Sequence, residues 1–191
     1  MKPLILAAGL LLILVAPIAA QQTPLTTTEQ ALFEAAYLGK LAEVERLVAA
    51  GTAVDAVDPE NRTPMMFAAF DGRRQVVSFL LREGAKVDNK DSNGRTALMY
   101  ASSGPYVETV EVLLAAGAEV DTQGMLEGFT ALMTAAAEGQ IEVVRLLLEH
   151  GVDPTLKDID GDTALSFARE KGHTEVVELL EKDPPENDGP K

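Results

Sequence analysis

An all-α solenoid is the fold class this sequence predicts, and three observations carry it. Thr63, Thr96, Thr130 and Thr163 recur at intervals of 33, 34 and 33 residues. Gly51, Gly84, Gly117 and Gly151 recur at 33, 33 and 34. Each threonine is followed by two short helical patterns, clearest in TALMTAAAEGQIEVVRLLLEHG from Thr130. Two independent markers with one period identify a repeat array. Helices this short are unstable alone in water, so each pair needs copies of itself beside it.

The founding copy explains the others. Thr130 is placed to cap a helix, its hydroxyl accepting a free N–H of the first turn. Ala131 to Glu138 is rich in small residues, so neighbours can approach closely. Gly139 ends that helix. In the second helix Val143, Val144, Leu146, Leu147 and Leu148 form the apolar side, leaving Glu142, Arg145 and Glu149 for water. TPMMFAAFDGRRQVVSFLLREGAKVD, TALMYASSGPYVETVEVLLAAGAEVD and TALSFAREKGHTEVVELL align with it, and QALFEAAYLGKLAEVERLVAAGTAVD from Gln30 is a degenerate first copy. The period, the Thr-Ala/Pro-Leu opening, the mid-repeat glycine, the paired valines and Gly-Ala-x-Val-Asp resemble ankyrin repeats. The resemblance covers roughly Thr28 to Lys182. It implies a solenoid of about five helix-turn-helix repeats with short β-hairpin-like loops, at about 29–57, 58–90, 91–124, 125–157 and 158–182. Fold alone leaves the function open.

Outside the array, residues 1–20 have the pattern of a secretory signal peptide. Lys2 is the positive start, Leu4 to Val15 an apolar run and Pro17 a break, and Ala19-Ala20 precede Gln21-Gln22-Thr23-Pro24. Cleavage after Ala20 implies a periplasmic or secreted protein with no membrane attachment. The rival is an uncleaved anchor at the short limit for a bilayer span. Residues 21–28 are expected as a loose polar leader. Gln30 stands where other repeats have threonine, as terminal repeats are usually atypical. Residues 183–191, DPPENDGPK, cannot continue a helix and are expected as a disordered tail.

Composition narrows the function. Sixteen Lys and Arg against 30 Asp and Glu give a formal net charge of −14. Phosphate backbones need a basic footprint, so nucleic acid is not the expected partner. The chain has no cysteine, which excludes disulfides and thiol catalysis. Asn61-Arg62-Thr63 matches a glycosylation sequon, although Thr63 is already explained as a cap. Asp158-Ile159-Asp160-Gly161-Asp162 resembles a calcium loop, but glycine is fourth rather than sixth and Arg169 stands twelfth. The alternative function, a small metal-binding module or an enzyme, would use this loop. Met66, Met99 and Met133 share one repeat position with Ser166. Equivalent positions lie roughly 10 Å apart, too far for one metal ion, and core filling explains them. The family often has histidine there, bonding within the turn, and that bond is expected to be absent. His150 and His173 join no nucleophile pattern, and no G-x-S-x-G, H-E-x-x-H or phosphate loop occurs. Neither catalytic residues nor a cofactor or metal is expected.

Two departures from the repeat are informative. Gly104-Pro105-Tyr106 should alter the turn between the helices of the third repeat. The loop Asp121 to Phe129 is one residue longer than its counterparts and more apolar, with Met125, Leu126 and Phe129 where others carry Asp, Ser, Pro or Arg. The expected function is non-enzymatic binding of a protein partner by a monomeric chain, as inhibitor or immunity protein, or as scaffold, for an exported enzyme. By resemblance, partners meet the concave side of tips and first helices. In this chain its exposed positions include Tyr37, Leu38, Arg62, Phe70, Asp71 and Arg95, then Leu126, Glu127, Phe129, Glu138, Ile159 and Asp162. Met125 joins them through the long loop. That loop is expected at the centre of the interface, with Phe129 as exposed anchor.

Overall fold

A computed structural model describes residues 25–182, and the segments expected as signal peptide, 1–20, and as disordered tail, 183–191, lie outside the described residues. Among the described residues there are ten helices and no strand. The first helices of the five repeats are α1 (Thr27–Tyr37), α3 (Pro64–Phe70), α5 (Ala97–Ser102), α7 (Ala131–Ala137) and α9 (Ala164–Lys171). The second helices are α2 (Leu41–Ala49), α4 (Arg74–Arg82), α6 (Val107–Ala115), α8 (Ile141–Glu149) and α10 (Thr174–Lys182). First helices stack on first helices and second on second, giving two rows with one continuous core.

Small residues set the spacing of the first row. Ala35, Ala68, Ala101, Ala135 and Ala168 occupy one register position in all five repeats, and each is buried. Leu32, Met65, Leu98, Leu132, Val77, Val110, Val144 and Leu147 fill the space between the rows. Met66, Met99 and Met133 are buried in that core too. Their position keeps part of the turn bonding expected to be lost. Met66 Sδ accepts the Thr63 N–H at 3.4 Å, and Ser166 Oγ accepts that of Thr163 at 3.3 Å. Thr63, Thr96, Thr130 and Thr163 cap their helices as expected.

The start of the array departs from expectation. Helix α1 begins at Thr27, inside the stretch expected as loose leader, and its cap is Thr26 rather than Gln30. Thr26 Oγ1 accepts the Glu29 N–H at 3.2 Å while Glu29 Oε2 accepts the Thr26 N–H at 2.7 Å. This reciprocal cap gives α1 an additional turn ahead of Ala31.

Repeats are tied to each other by polar bonds at three levels. The carboxylates of Asp55, Asp88 and Asp121 accept the backbone N–H of Lys86, Glu119 and Asp153 in the next repeat. Side chains after the mid-repeat turn reach back to the preceding repeat. Arg73 Nε donates to Tyr37 O at 3.1 Å, and His173 Nε2 lies 3.0 Å from Ala137 O. Tips pair through Ser92 N–H to Glu60 O, Met125 N–H to Asn93 O and Ile159 N–H to Glu127 O, at 2.8, 2.7 and 3.1 Å.

The third repeat's turn is altered, as its proline predicts. Pro105 occupies the place of Gly39, Gly72, Gly139 and Gly172, all at positive φ, a region closed to proline. In the other four repeats the next residue donates its N–H to the Ala of the spacing row, at 2.8–2.9 Å. Tyr106 makes no such bond among the described residues, and α5 is the shortest of the first helices. The Tyr106 ring instead lies against Gly72 and Gly104, filling the space a Cβ would need.

Leu147 is fully buried between the rows. Leu147→Ala should cost about 2–5 kcal/mol in urea unfolding. A loss under about 1 kcal/mol would contradict the packing described.

Candidate functional site

Each tip is built on one repeated device. Asp58 N–H donates to Arg62 O, Asp91 to Arg95 O and Asp158 to Asp162 O, at 3.1, 3.0 and 2.9 Å. Each aspartate then turns its Oδ1 inward to accept two further N–H groups of its loop. Asp158, the head of the calcium-like run, is therefore engaged in closing its turn. Among the described residues no group of three or more His, Asp or Glu side chains could hold a metal ion.

The long loop follows the same plan with one insertion. Gly124 N–H closes it on Phe129 O at 2.9 Å. Met125 pairs backward as Ser92 does, and Glu127 forward as Asn93 does. Gly128 takes the positive φ that Gly94, Gly161 and Asn61 take in theirs. The extra residue is thus Leu126, which stands 64% exposed beside Met125 at 71%. Gln123 Nε2 pins the loop to Gly128 O at 3.0 Å and to Lys157 O at 2.8 Å.

A second row of side chains lies one helical turn inside the tips. Phe67, Tyr100, Thr134 and Phe167 share one repeat position. Arg62 lies over Phe67 with its guanidinium carbon 4.9 Å from the ring centroid, and Arg95 over Tyr100 at 5.1 Å. Asp58 pairs with Arg62, and Asp91 with Arg95. Tyr100 Oη donates to Asp91 Oδ2 at 2.7 Å. Asp91 is almost fully buried. Burial pushes its carboxyl up, but hydrogen bonds from Arg95 N–H, Tyr100 Oη and Asn93 N–H outweigh that and hold it below its ordinary 3.8. Burial first, and then the bond to Asp91, push Tyr100 up to about 12.

These residues border two adjoining clefts. One, of about 310 Å³, is lined by Phe70, Asn93, Arg95, Met99, Tyr100, Ser103, Gly124, Leu126, Glu127, Phe129 and Thr134. The other, of about 250 Å³, is lined by Tyr37, Arg62, Met66, Phe67, Phe70, Arg95 and Tyr100. Phe70, Arg95 and Tyr100 form the ridge between them, the two rings meeting edge-on at 6.2 Å.

Of the residues expected in an interface, Tyr37, Arg62, Phe70, Arg95, Leu126, Glu127 and Phe129 line these clefts. Leu38, Met125, Glu138, Ile159 and Asp162 are exposed outside them, and Asp71 pairs with Arg73. Phe129 is corrected from exposed anchor to half-buried wall. It packs against the core and meets Phe167 edge-on at 4.9 Å, because Thr134 offers no ring in its own repeat. Tyr37 and Phe70 both face the smaller cleft, but the partner of Phe70 is Tyr100. Phe67, Tyr100 and Thr134 were not among the expected residues. Aligning the fourth position after each capping threonine finds them.

A two-row array of stacked helix pairs at a 33-residue period is a repeat solenoid. The family model described as ankyrin repeats (3 copies) matches residues 32–124 and again 121–188, and the chain belongs to the ankyrin-repeat family. Such repeats are generally protein–protein interaction modules. Comparison with curated proteins gives no match. Among the described residues no helix is long and apolar enough to cross a membrane.

The Asp91–Tyr100 pair has two pH signatures. Tyr100 is raised, so its contribution to stability is complete below about pH 10 and is lost as pH rises through about 12. Asp91 is lowered, so its contribution is complete above about pH 3.8 and is lost as pH falls through its folded value. Absorbance at 295 nm should show a tyrosine ionising only near pH 12, and Asp91→Ala should bring that step down. An unchanged curve in Asp91→Ala would refute the coupling.

Proposed function

We propose that this chain is an exported, monomeric, non-enzymatic binding module that holds a protein partner across the Phe70–Arg95–Tyr100 ridge and its two clefts. Export rests on Lys2, the apolar run and Ala19-Ala20. Binding rests on one observation above the others. Phe70, 48% exposed, stands on a ridge with an apolar cleft on either side. Exposed aromatics beside arginine are typical centres of interface energy. The partner acts in the same compartment, and the module serves it as inhibitor or immunity protein, or as scaffold. A non-enzymatic role is supported by the family, whose members are typically non-enzymatic.

Affinity capture from the exported fraction tests both parts. Mass spectrometry of the bait should find a chain starting near Gln21. The intact face should retain a protein that Phe70→Ala retains at least tenfold less, since about 2 kcal/mol is a usual hot-spot loss. Intact Met1 in the membrane pellet would support the anchor instead. An unchanged captured set would place the interface elsewhere.

A further inference from the structure

Aromatic pairs stitch this face together at every repeat junction but one. Phe33 meets Phe67 edge-on at 5.4 Å between the first and second repeats, Phe70 meets Tyr100 between the second and third, and Phe129 meets Phe167 between the fourth and fifth. Among the described residues no such pair bridges the third and fourth. The larger cleft opens there. Its floor position is Thr134, where the other aligned repeats place Phe67, Tyr100 and Phe167. The Thr134 hydroxyl donates back to Thr130 O at 2.9 Å, so its proton is engaged within the helix rather than offered to the cleft. Rings remain on either side, Tyr100 behind and Phe129 ahead. A cavity of about 150 Å³ lined by apolar side chains accepts benzene, and this cleft is about 310 Å³.

Charge divides the same face. Arg62 and Arg95 are neutralised by Asp58 and Asp91, and Arg73 by Asp71. Beyond the cleft the balance reverses. Glu127 on its rim and Glu138, one helical turn from Thr134, are exposed and have no ion-pair partner among the described residues. Asp160 and Asp162 on the next tip are the same, around an Ile159 that is 70% exposed. An incoming anion would meet these carboxylates, while Arg95, the one cationic side chain lining the cleft, is already paired with Asp91.

We infer that the third–fourth junction is a socket for a partner protein segment that inserts one aromatic side chain over Thr134 and sets a lysine or arginine beside it against Glu127. The partner's ring completes the aromatic row that the chain leaves interrupted. The inserted Leu126 covers it from the tip side. This rests on the proposed binding face and adds which side chains the partner brings.

The test uses random twelve-residue peptides displayed on phage, selected on the full chain. The enriched peptides should carry an aromatic residue within two positions of Lys or Arg. Thr134→Phe fills the socket and should weaken their binding at least tenfold, while Thr134→Val, close in shape, should preserve it. Glu127→Lys lies on an exposed tip and gives a second arm that does not depend on repacking. It should weaken binding at least tenfold at low salt, with a smaller effect at high salt. Peptides without the aromatic–cation pairing, or peptides that bind Thr134→Phe and Glu127→Lys undiminished, overturn the inference. If those peptides are nevertheless lost on Phe70→Ala, the binding face stands and only the socket fails. If no peptide depends on either position, both fail.

Discussion

The structure depends on the close approach of successive first helices. At the five equivalent positions Ala35, Ala68, Ala101, Ala135 and Ala168, each buried in the stacked first helices, the side chain is no more than a methyl group. That spacing brings Asp55, Asp88 and Asp121 within reach of the next repeat's N–H groups, and the tips within hydrogen-bond distance of each other. The two helices of each repeat pack on each other and leave an apolar side that only the neighbouring repeats cover, so local errors weaken adjacent repeats.

Within that fixed spacing, function is written in deviations. Pro105 removes one backbone bond from the third repeat and shortens α5, and Tyr106 fills the resulting surface. Leu126 is added to the next tip without breaking its closure, since Gly124 and Phe129 still bond across the base. Thr134 withdraws a ring from a row of rings. These three changes fall on the third and fourth repeats, and the larger cleft lies between them. Asp91 connects scaffold to face, because one buried carboxylate holds its loop, Arg95 and Tyr100 together.

Much of the fold was legible because period is a strong signal. Two markers at a 33-residue interval located the helix pairs, the caps and the altered third turn. The first cap lies outside that signal, because the register of Thr63 leads back to Gln30 whereas α1 extends to Thr27 with Thr26 as its cap. The long loop was recognised, but its insertion could not be assigned to Leu126 without the tip-to-tip bonds. Phe129 was misjudged because residues before the capping threonine were treated as equally exposed. At that position Arg62 and Arg95 lie over the ring four positions beyond the threonine of their own repeat. Phe129 finds Phe167 in the next repeat and is half-buried for that reason.

The claim beneath all of this is that the alanine row sets the repeat spacing and, through it, the geometry of the face. Ala101→Leu, measured by urea unfolding of the full chain, tests it most directly. The central first helix would have to move away from both neighbours, and overpacking of that kind costs about 1–3 kcal/mol, occasionally more. A loss of at least about 2 kcal/mol is predicted. A change under about 0.5 kcal/mol would mean that the row tolerates larger side chains and that the spacing is set elsewhere.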